Sequence, residues 1–367
     1  MSYYNDHAKY GDFFNSHDPD RKKPSSGGQP PKKPKRRVKT GIKVLLGMIA
    51  LSLVCIIVAV IFAGNAKTDQ PDTVSSSTDS TVSSETASTV NTEPKPKDLF
   101  PKNADYTVTL GGQIKSPYAV LVDASDNTIL ARRNADEIIY PASMTKAVTL
   151  LVVAEHINDI TATFKMTSEI IDPLYRQDMT LAGFAPGEDV RIIDMIYGMV
   201  LESGAEAAVG LATYISGSEE EFVKLMNAKA DELGLKNTHF TNVSGLHHKS
   251  HYTTCTEMAV LMAEVIKNDF CREIISTEYY TVAKNKYHDE LKYHSGMFEK
   301  MYGTEPEVAT IKGGKTGFTS QSLFCLVSYA VTDDGRDIIC VTAKGEGKYT
   351  PIYDCIDLYK QYTHSQK

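Results

Sequence analysis

Cysteine is scarce in this chain and poorly spaced for structural chemistry. Six occur in 367 residues, with no Cys-x-x-Cys pair. Nor is there any spacing of Cys, His, Asp and Glu that suits a metal, so neither a metal nor a cofactor is expected. Cys55 lies in an apolar run, which leaves the odd set Cys255, Cys271, Cys325, Cys340 and Cys355. Irregular and odd in number, they make a poor disulfide framework and read as small buried hydrophobes. A hairpin would bring Cys325 and Cys340 opposite each other, although no bridge is expected. Positive charge is also missing from most of the chain. Residues 1–43 hold 11 Lys/Arg against 4 Asp, whereas the whole chain is −7, leaving −14 for the remainder. That acidic remainder argues against nucleic acid or anionic lipid as its partner.

The third absence is of charge altogether, from Val44 to Gly64 (VLLGMIALSLVCIIVAVIFAG). A run of about 20 apolar residues crosses a bilayer as one helix. It is too long and too far from the N-terminus for a signal peptide, and no good cleavage site follows. The basic run Lys32-Lys-Pro-Lys-Arg-Arg-Val-Lys39 beside it would keep the N-terminal side cytoplasmic. The expected order is a disordered basic tail (1–43), a transmembrane helix (44–64) that tethers the chain to the cell membrane, and a Ser/Thr-rich linker (65–103). That linker has too little apolar surface to fold. A folded extracytoplasmic domain over 104–367 would follow.

Within that domain SPYAVLVDA, the turn Ser125-Asp126-Asn127 and TILARRN read as a hairpin. Pro141-Ala142-Ser143 leads into MTKAVTLLVVAEHI, an apolar helix with a serine at its start. Helical patterns cover Asp194–Glu202, Ala205–Ile215, Glu219–Leu233 and Cys255–Asn268. A strand ending in Ile311 follows, then SLFCLVSYAV, the turn Asp333–Arg336, DIICVTAK and a last helix Pro351–Tyr362. Strands at both ends with helices between predict an α+β fold whose terminal helix packs on the sheet.

Three short motifs lie in order along this domain: Ser143-Met-Thr-Lys146, Ser203-Gly204-Ala205 and Lys315-Thr316-Gly317. Each alone has an ordinary explanation: an N-cap serine with a surface lysine, a serine linking two helices, a glycine-rich turn with a solvated lysine. Together they suit serine acyl transfer. Serine attacks an amide only when a neighbouring base takes its proton. Three apart on a helix, Ser143 and Lys146 share a face. An apolar setting lowers a lysine pKa toward the range of a base. Ser203 falls 60 residues after Ser143 and 112 before Lys315. The third motif reads as a strand edge whose glycines let a substrate backbone lie close, and a second lysine beside a hydroxyl suits a substrate carboxylate.

At this point the domain resembles the low-molecular-mass penicillin-binding proteins, specifically the D-alanyl-D-alanine carboxypeptidases of peptidase family S11. The resemblance runs through YPASMTK, APGEDVRIIDMIYGMVLESGAEAAVGLA, FVKLMNAKADELGLKNTHFTNVSGLHH and IKGGKTGFTSQS, nearly all of residues 106–365. It implies a β-lactamase/transpeptidase-like fold, an antiparallel sheet flanked by helices plus an all-helical lobe. It further implies removal of the terminal D-alanine from peptidoglycan stem pentapeptides, and β-lactams as acylating inhibitors. By position Ser143 is the nucleophile, Lys146 its base and Ser203 the relay to the leaving group. Lys315, Thr316 and Gly317 would bind substrate, with the backbone N–H groups of Ser143 and Phe318 as oxyanion hole. A Gram-positive wall fits the tethered topology.

The chain departs from the family in three places. The second motif usually ends in Asn, where Ala205 stands here, and the neighbouring Glu206 cannot donate the same hydrogen bond when ionised. With 50 residues after Gly317, the β-rich C-terminal domain and C-terminal anchor of many relatives are expected to be absent. His247, His248 and His251 fall in a loop expected at the cleft rim. A class A β-lactamase is disfavoured because THFTNVSGLHH lacks the acid needed for deacylation. A non-catalytic peptidoglycan or β-lactam-binding module is the alternative from another class, with Ala205 in its favour.

Overall fold

The computed structural model describes residues 99–363 apart from Tyr302, Thr304 and Glu305. The expected tail, transmembrane helix and most of the linker lie outside the described residues. Among the described residues no helix is long and apolar enough to cross a membrane.

Six strands form the central sheet in the order β1-β3-β2-β10-β9-β8: β1 (Lys102–Thr109), β2 (Tyr118–Asp123), β3 (Thr128–Arg133), β8 (Ala309–Thr319), β9 (Leu323–Thr332) and β10 (Asp337–Gly345). The expected hairpin is β2 paired antiparallel with β3. Two features differ from the sequence reading. The sheet is not wholly antiparallel, because β1 adds in parallel to β3. It starts at Lys102, ahead of the expected boundary at 104, in a polar stretch without strand alternation. The strand expected to end at Ile311 instead runs through Lys315-Thr316-Gly317 to Thr319. It forms one edge of the sheet.

Period-two alternation sorts the sheet's side chains onto two faces. Val120, Val122, Val327, Ile339 and Val341 belong to one buried cluster. Ala119, Leu121, Leu326, Ile338 and Cys340 belong to the other. Cys325 pairs with Gly317 and Cys340 with Ser328, so these cysteines do not face each other. All five described cysteines are free and buried.

The C-terminal helix covers one face. It spans Thr350–Tyr362 and buries Ile352, Cys355, Ile356, Leu358 and Tyr359 against Leu121 and Ile338. Leu121→Ala would cost about 2–5 kcal/mol, since the leucine is fully enclosed. The other face carries α1 (Thr145–His156), α2 (Ser168–Arg176), α3 (Ile192–Leu201), α4 (Ala205–Ser216), α5 (Glu219–Glu232), α6 (Cys255–Lys267) and α7 (Asp269–Ser276), numbered in chain order, while the short α8 (Phe298–Met301) shares the first face's cluster with the C-terminal helix, α9. α1 is buried continuously from Thr145 to Val153, as expected of a helix apolar all round. α5 is amphipathic, burying Phe222, Met226 and Ala230 at four-residue spacing. The Ser218 hydroxyl caps its first turn by accepting from Glu221 N. Short pairs β4/β5 (Thr163–Lys165, Asp189–Arg191) and β6/β7 (Tyr279–Val282, Leu291–His294) complete the described elements.

Candidate active site

Ser143 sits in a single 3-10 turn, Ala142–Met144, that runs directly into α1. The turn is strained: Ala142 has φ +45°, a region L-residues rarely adopt. Gly245 holds it in place. With φ +86°, that glycine lies so close that a Cβ on it would be 1.9 Å from the Ala142 carbonyl oxygen. β8 packs on the same turn at Gly317, where a Cβ would be 2.9 Å from Ser143 N and 3.0 Å from Ala142 Cβ. Edge strand and the turn carrying Ser143 thus meet closely.

Lys146, one turn into the helix, is 1% exposed. Its Nζ donates to Ser143 Oγ at 3.2 Å and to the Ser244 carbonyl at 2.7 Å. Burial drives its pKa well below the ordinary lysine value, and the Lys315 charge lowers it further, while Glu206 opposes both. The surface-lysine explanation for Ser-x-x-Lys therefore fails, and Lys146 is placed to take the Ser143 proton.

Lys315 is buried too, with Nζ donating to the Thr316 carbonyl at 3.2 Å. Its pKa is lowered to about 7, first by burial and then by the neighbouring Lys300. Ser203, at φ +65°, occupies the turn between α3 and α4. Ser143, Lys146, Ser203, Lys315, Thr316, Gly317 and Phe318 all line one cleft of about 670 Å³. Phe318 is half exposed there and stacks on Phe324 at 4.3 Å.

Position 205 behaves differently. Ala205 is fully buried and its N–H donates to the Thr180 carbonyl at 2.8 Å, so no amide reaches the cleft from there. Glu206 lies behind it. One carboxylate oxygen accepts from the N–H groups of Ala182 (2.6 Å), Gly183 (2.9 Å) and Phe184 (3.4 Å). These bonds tie down the loop whose Met179 and Thr180 form a cleft wall. Burial raises the Glu206 pKa to about 6 despite them.

The histidine loop is only partly at the rim. Gly245 and Leu246 line the cleft, and His247 meets Tyr140 edge-on. His251 is buried against Thr145, however. Its Nδ1 accepts from Thr241 N at 3.1 Å, which leaves Nε2–H to donate to Thr145 Oγ1 at 2.9 Å. Burial pushes its pKa down to about 3 and keeps it neutral. Among the described residues no cluster of three or more His, Cys, Asp or Glu is arranged to hold a metal. Sequence reasoning missed Glu202, His294, Lys300 and Lys348, which also line the cleft. Glu202 directly precedes the second motif, which could have marked it, whereas His294, Lys300 and Lys348 lie in segments without motif or periodicity.

The family model described as D-alanyl-D-alanine carboxypeptidase, Peptidase_S11, matches residues 103–346. Among curated relatives, D-alanyl-D-alanine carboxypeptidase DacF of Bacillus subtilis is 33% identical over 248 residues, covering 64% of this chain and 58% of the relative. DacC of Escherichia coli is 31% identical, covering 60% of this chain and 55% of the relative. The chain thus spans less than two thirds of these relatives' length. Among solved structures, penicillin binding protein 5 of Haemophilus influenzae superposes with TM-score 0.61 at 27% identity, covering 68% of this chain and 71% of that one. The Streptomyces K15 DD-transpeptidase has the same fold, with TM-score 0.61 at 24% identity over 67% of this chain and 97% of the other. With the family model matched across the sheet, the helical lobe and all three motifs, the chain belongs to the D-alanyl-D-alanine carboxypeptidase family, peptidase S11.

Proposed function

We propose that this protein is a serine-type D-alanyl-D-alanine carboxypeptidase acting on peptidoglycan stem pentapeptides. The observation that carries the reading is the buried Lys146 ammonium 3.2 Å from Ser143 Oγ, in a setting that favours its neutral form. Neutral Lys146 takes the Ser143 proton as Oγ attacks the penultimate D-alanine carbonyl. The N–H groups of Ser143 and Phe318 stabilise the tetrahedral oxyanion. Ser203 relays that proton from Lys146 to the departing D-alanine nitrogen, so C–N cleavage releases a neutral amine, returns Lys146 to its neutral form and leaves an ester on Ser143. Water then attacks the ester, giving a proton to Lys146, which passes it to the departing Ser143 Oγ as the tetrapeptide is freed as its acid. Lys315 and Thr316 hold the substrate carboxylate. No step requires a metal or cofactor, and β-lactams acylate the same serine.

The apolar run at 44–64 tethers the domain outside the cell membrane, with residues 1–43 cytoplasmic and 65–103 as spacer. Its sequence, and the basic residues beside it, support that placement.

The test is D-alanine release from a stem-pentapeptide mimic by the full-length protein beside Ser143→Ala. Release that disappears in the variant supports the carboxypeptidase. A folded wild-type protein that releases none refutes it, and the binding module becomes the better reading.

A further inference from the structure

The cleft holds a cation that the motifs do not name. Lys300, on the short helix α8, lines the same cleft as Ser143 and Thr316. It is half-buried, and its Nζ donates to the Gly296 carbonyl. Gly296 locates it against the third motif. A Cβ built on that glycine would lie 3.3 Å from Lys300 Nζ and 3.9 Å from Thr316 Oγ1. Lysine ammonium and threonine hydroxyl therefore flank one small space, which the absence of a side chain at 296 leaves open. Lys315 lies near enough that the Lys300 charge depresses its pKa.

Two ammonium groups held this close in a partly dry site repel each other, and an anion between them relieves that repulsion. Each lysine spends one N–H donor on a backbone carbonyl and retains two. Lys146 is committed to Ser143 and Ser244. Lys348 also lines the cleft but packs over the Tyr349 ring. Among the described residues no arginine lines the cleft, and three carboxylates do: Asp178, Glu202 and Glu299. Glu202 accepts from His294 N at 3.1 Å, and Glu299 is close enough to oppose the fall in the Lys300 pKa that burial causes.

We infer that Lys300 is a specificity-determining residue, binding the substrate's C-terminal carboxylate jointly with Thr316 and Lys315. This rests on the carboxypeptidase reading and adds the residue that makes the enzyme select a free acid over a neutral C-terminus. Lysine at 300 supplies a point charge from outside the three motifs, so Lys300→Arg retains selectivity in part and Lys300→Met loses it.

Two measurements on the full-length protein test this. The first compares kcat/KM for N-acyl-D-alanyl-D-alanine and for its C-terminal amide in wild type, Lys300→Met and Lys300→Arg. Losing one charge-assisted hydrogen bond should lower kcat/KM for the acid roughly 10- to 100-fold in Lys300→Met, mainly through KM. The amide should barely change, and Lys300→Arg should recover most of the loss. The second measures binding of the same two ligands to Ser143→Ala with and without Lys300→Met, where nothing turns over. Acid preference that disappears with Lys300 supports the inference even if the wild type releases no D-alanine, in which case only the carboxypeptidase reading fails. Acid preference that survives Lys300→Met in either measurement, or its absence from Ser143→Ala protein, overturns the inference.

Discussion

Replacing Gly245 with alanine tests whether the nucleophile's position depends on backbone packing. The new Cβ would stand 1.9 Å from the Ala142 carbonyl oxygen, where real contacts are not seen below 3.0 Å, so the two must separate by at least about 1.1 Å. Ala142 is joined to Ser143, and β8 packs against both at Gly317, so the displacement passes into the serine. A misplacement of about 1 Å at a reacting group costs on the order of 100-fold in rate. The alanine must also hold φ near +86°, worth about 1–2 kcal/mol, and overpacking adds about 1–3 kcal/mol. The total of about 2–5 kcal/mol corresponds to a fall of roughly 4–20 °C in Tm for a domain of this size. Stopped-flow acylation by a fluorescent penicillin and a thermal melt read both effects. Acylation within threefold of wild type, with Tm unchanged, would refute the claim that Gly245 positions Ser143.

Three further outcomes follow from the buried charges. Lys146→Met should lower acylation by about 10²–10⁴-fold, the usual share of a general base, without lowering Tm, because an enclosed amine is removed; parallel kinetics and melts check this. Glu206→Gln keeps an acceptor for the N–H groups of Ala182 and Gly183 but removes the charge that supports protonated Lys146. The acid limb of the acylation pH profile should therefore move to lower pH, and an unmoved or rising limb would count against the coupling. Lys315 has its folded pKa lowered to about 7, so the unfolded chain binds the extra proton. The resulting penalty is fully present below pH 7 and fades as pH rises toward the unfolded value near 10.4. Lys315→Met should accordingly stabilise the protein by on the order of 4 kcal/mol at pH 7 and very little at pH 10.5, as paired thermal melts at the two pH values would show.

Much of this architecture was legible because local rules agreed with tertiary ones. Near-continuous apolar runs in VLVDA and DIICV mark strands buried on both faces, and the apolar run after Ser143 marks the enclosed helix. Legibility failed where a residue's ordinary meaning was overridden. The strand read as ending at Ile311 continues as β8 through the glycines around Lys315, and Gly317 lets that strand lie against Ser143. β1 lacks alternation because it is an edge strand whose side chains are mostly exposed. His251 shares its sequence neighbourhood with rim residues but turns inward to Thr145. In the cleft, the paired motifs were readable because a base must lie one helical turn from its nucleophile. Lys300 and His294 were not, since only the fold brings them to the cleft.

The central claim is that Ser143 is a nucleophile activated by neutral Lys146. Its most direct test is the rate of penicillin acylation between pH 5 and 10, with peptide mapping of the adduct. The account predicts one adduct, on Ser143, formed at a rate that rises with pH as Lys146 loses its proton and then levels. An adduct on another residue, or a rate indifferent to pH, would contradict it.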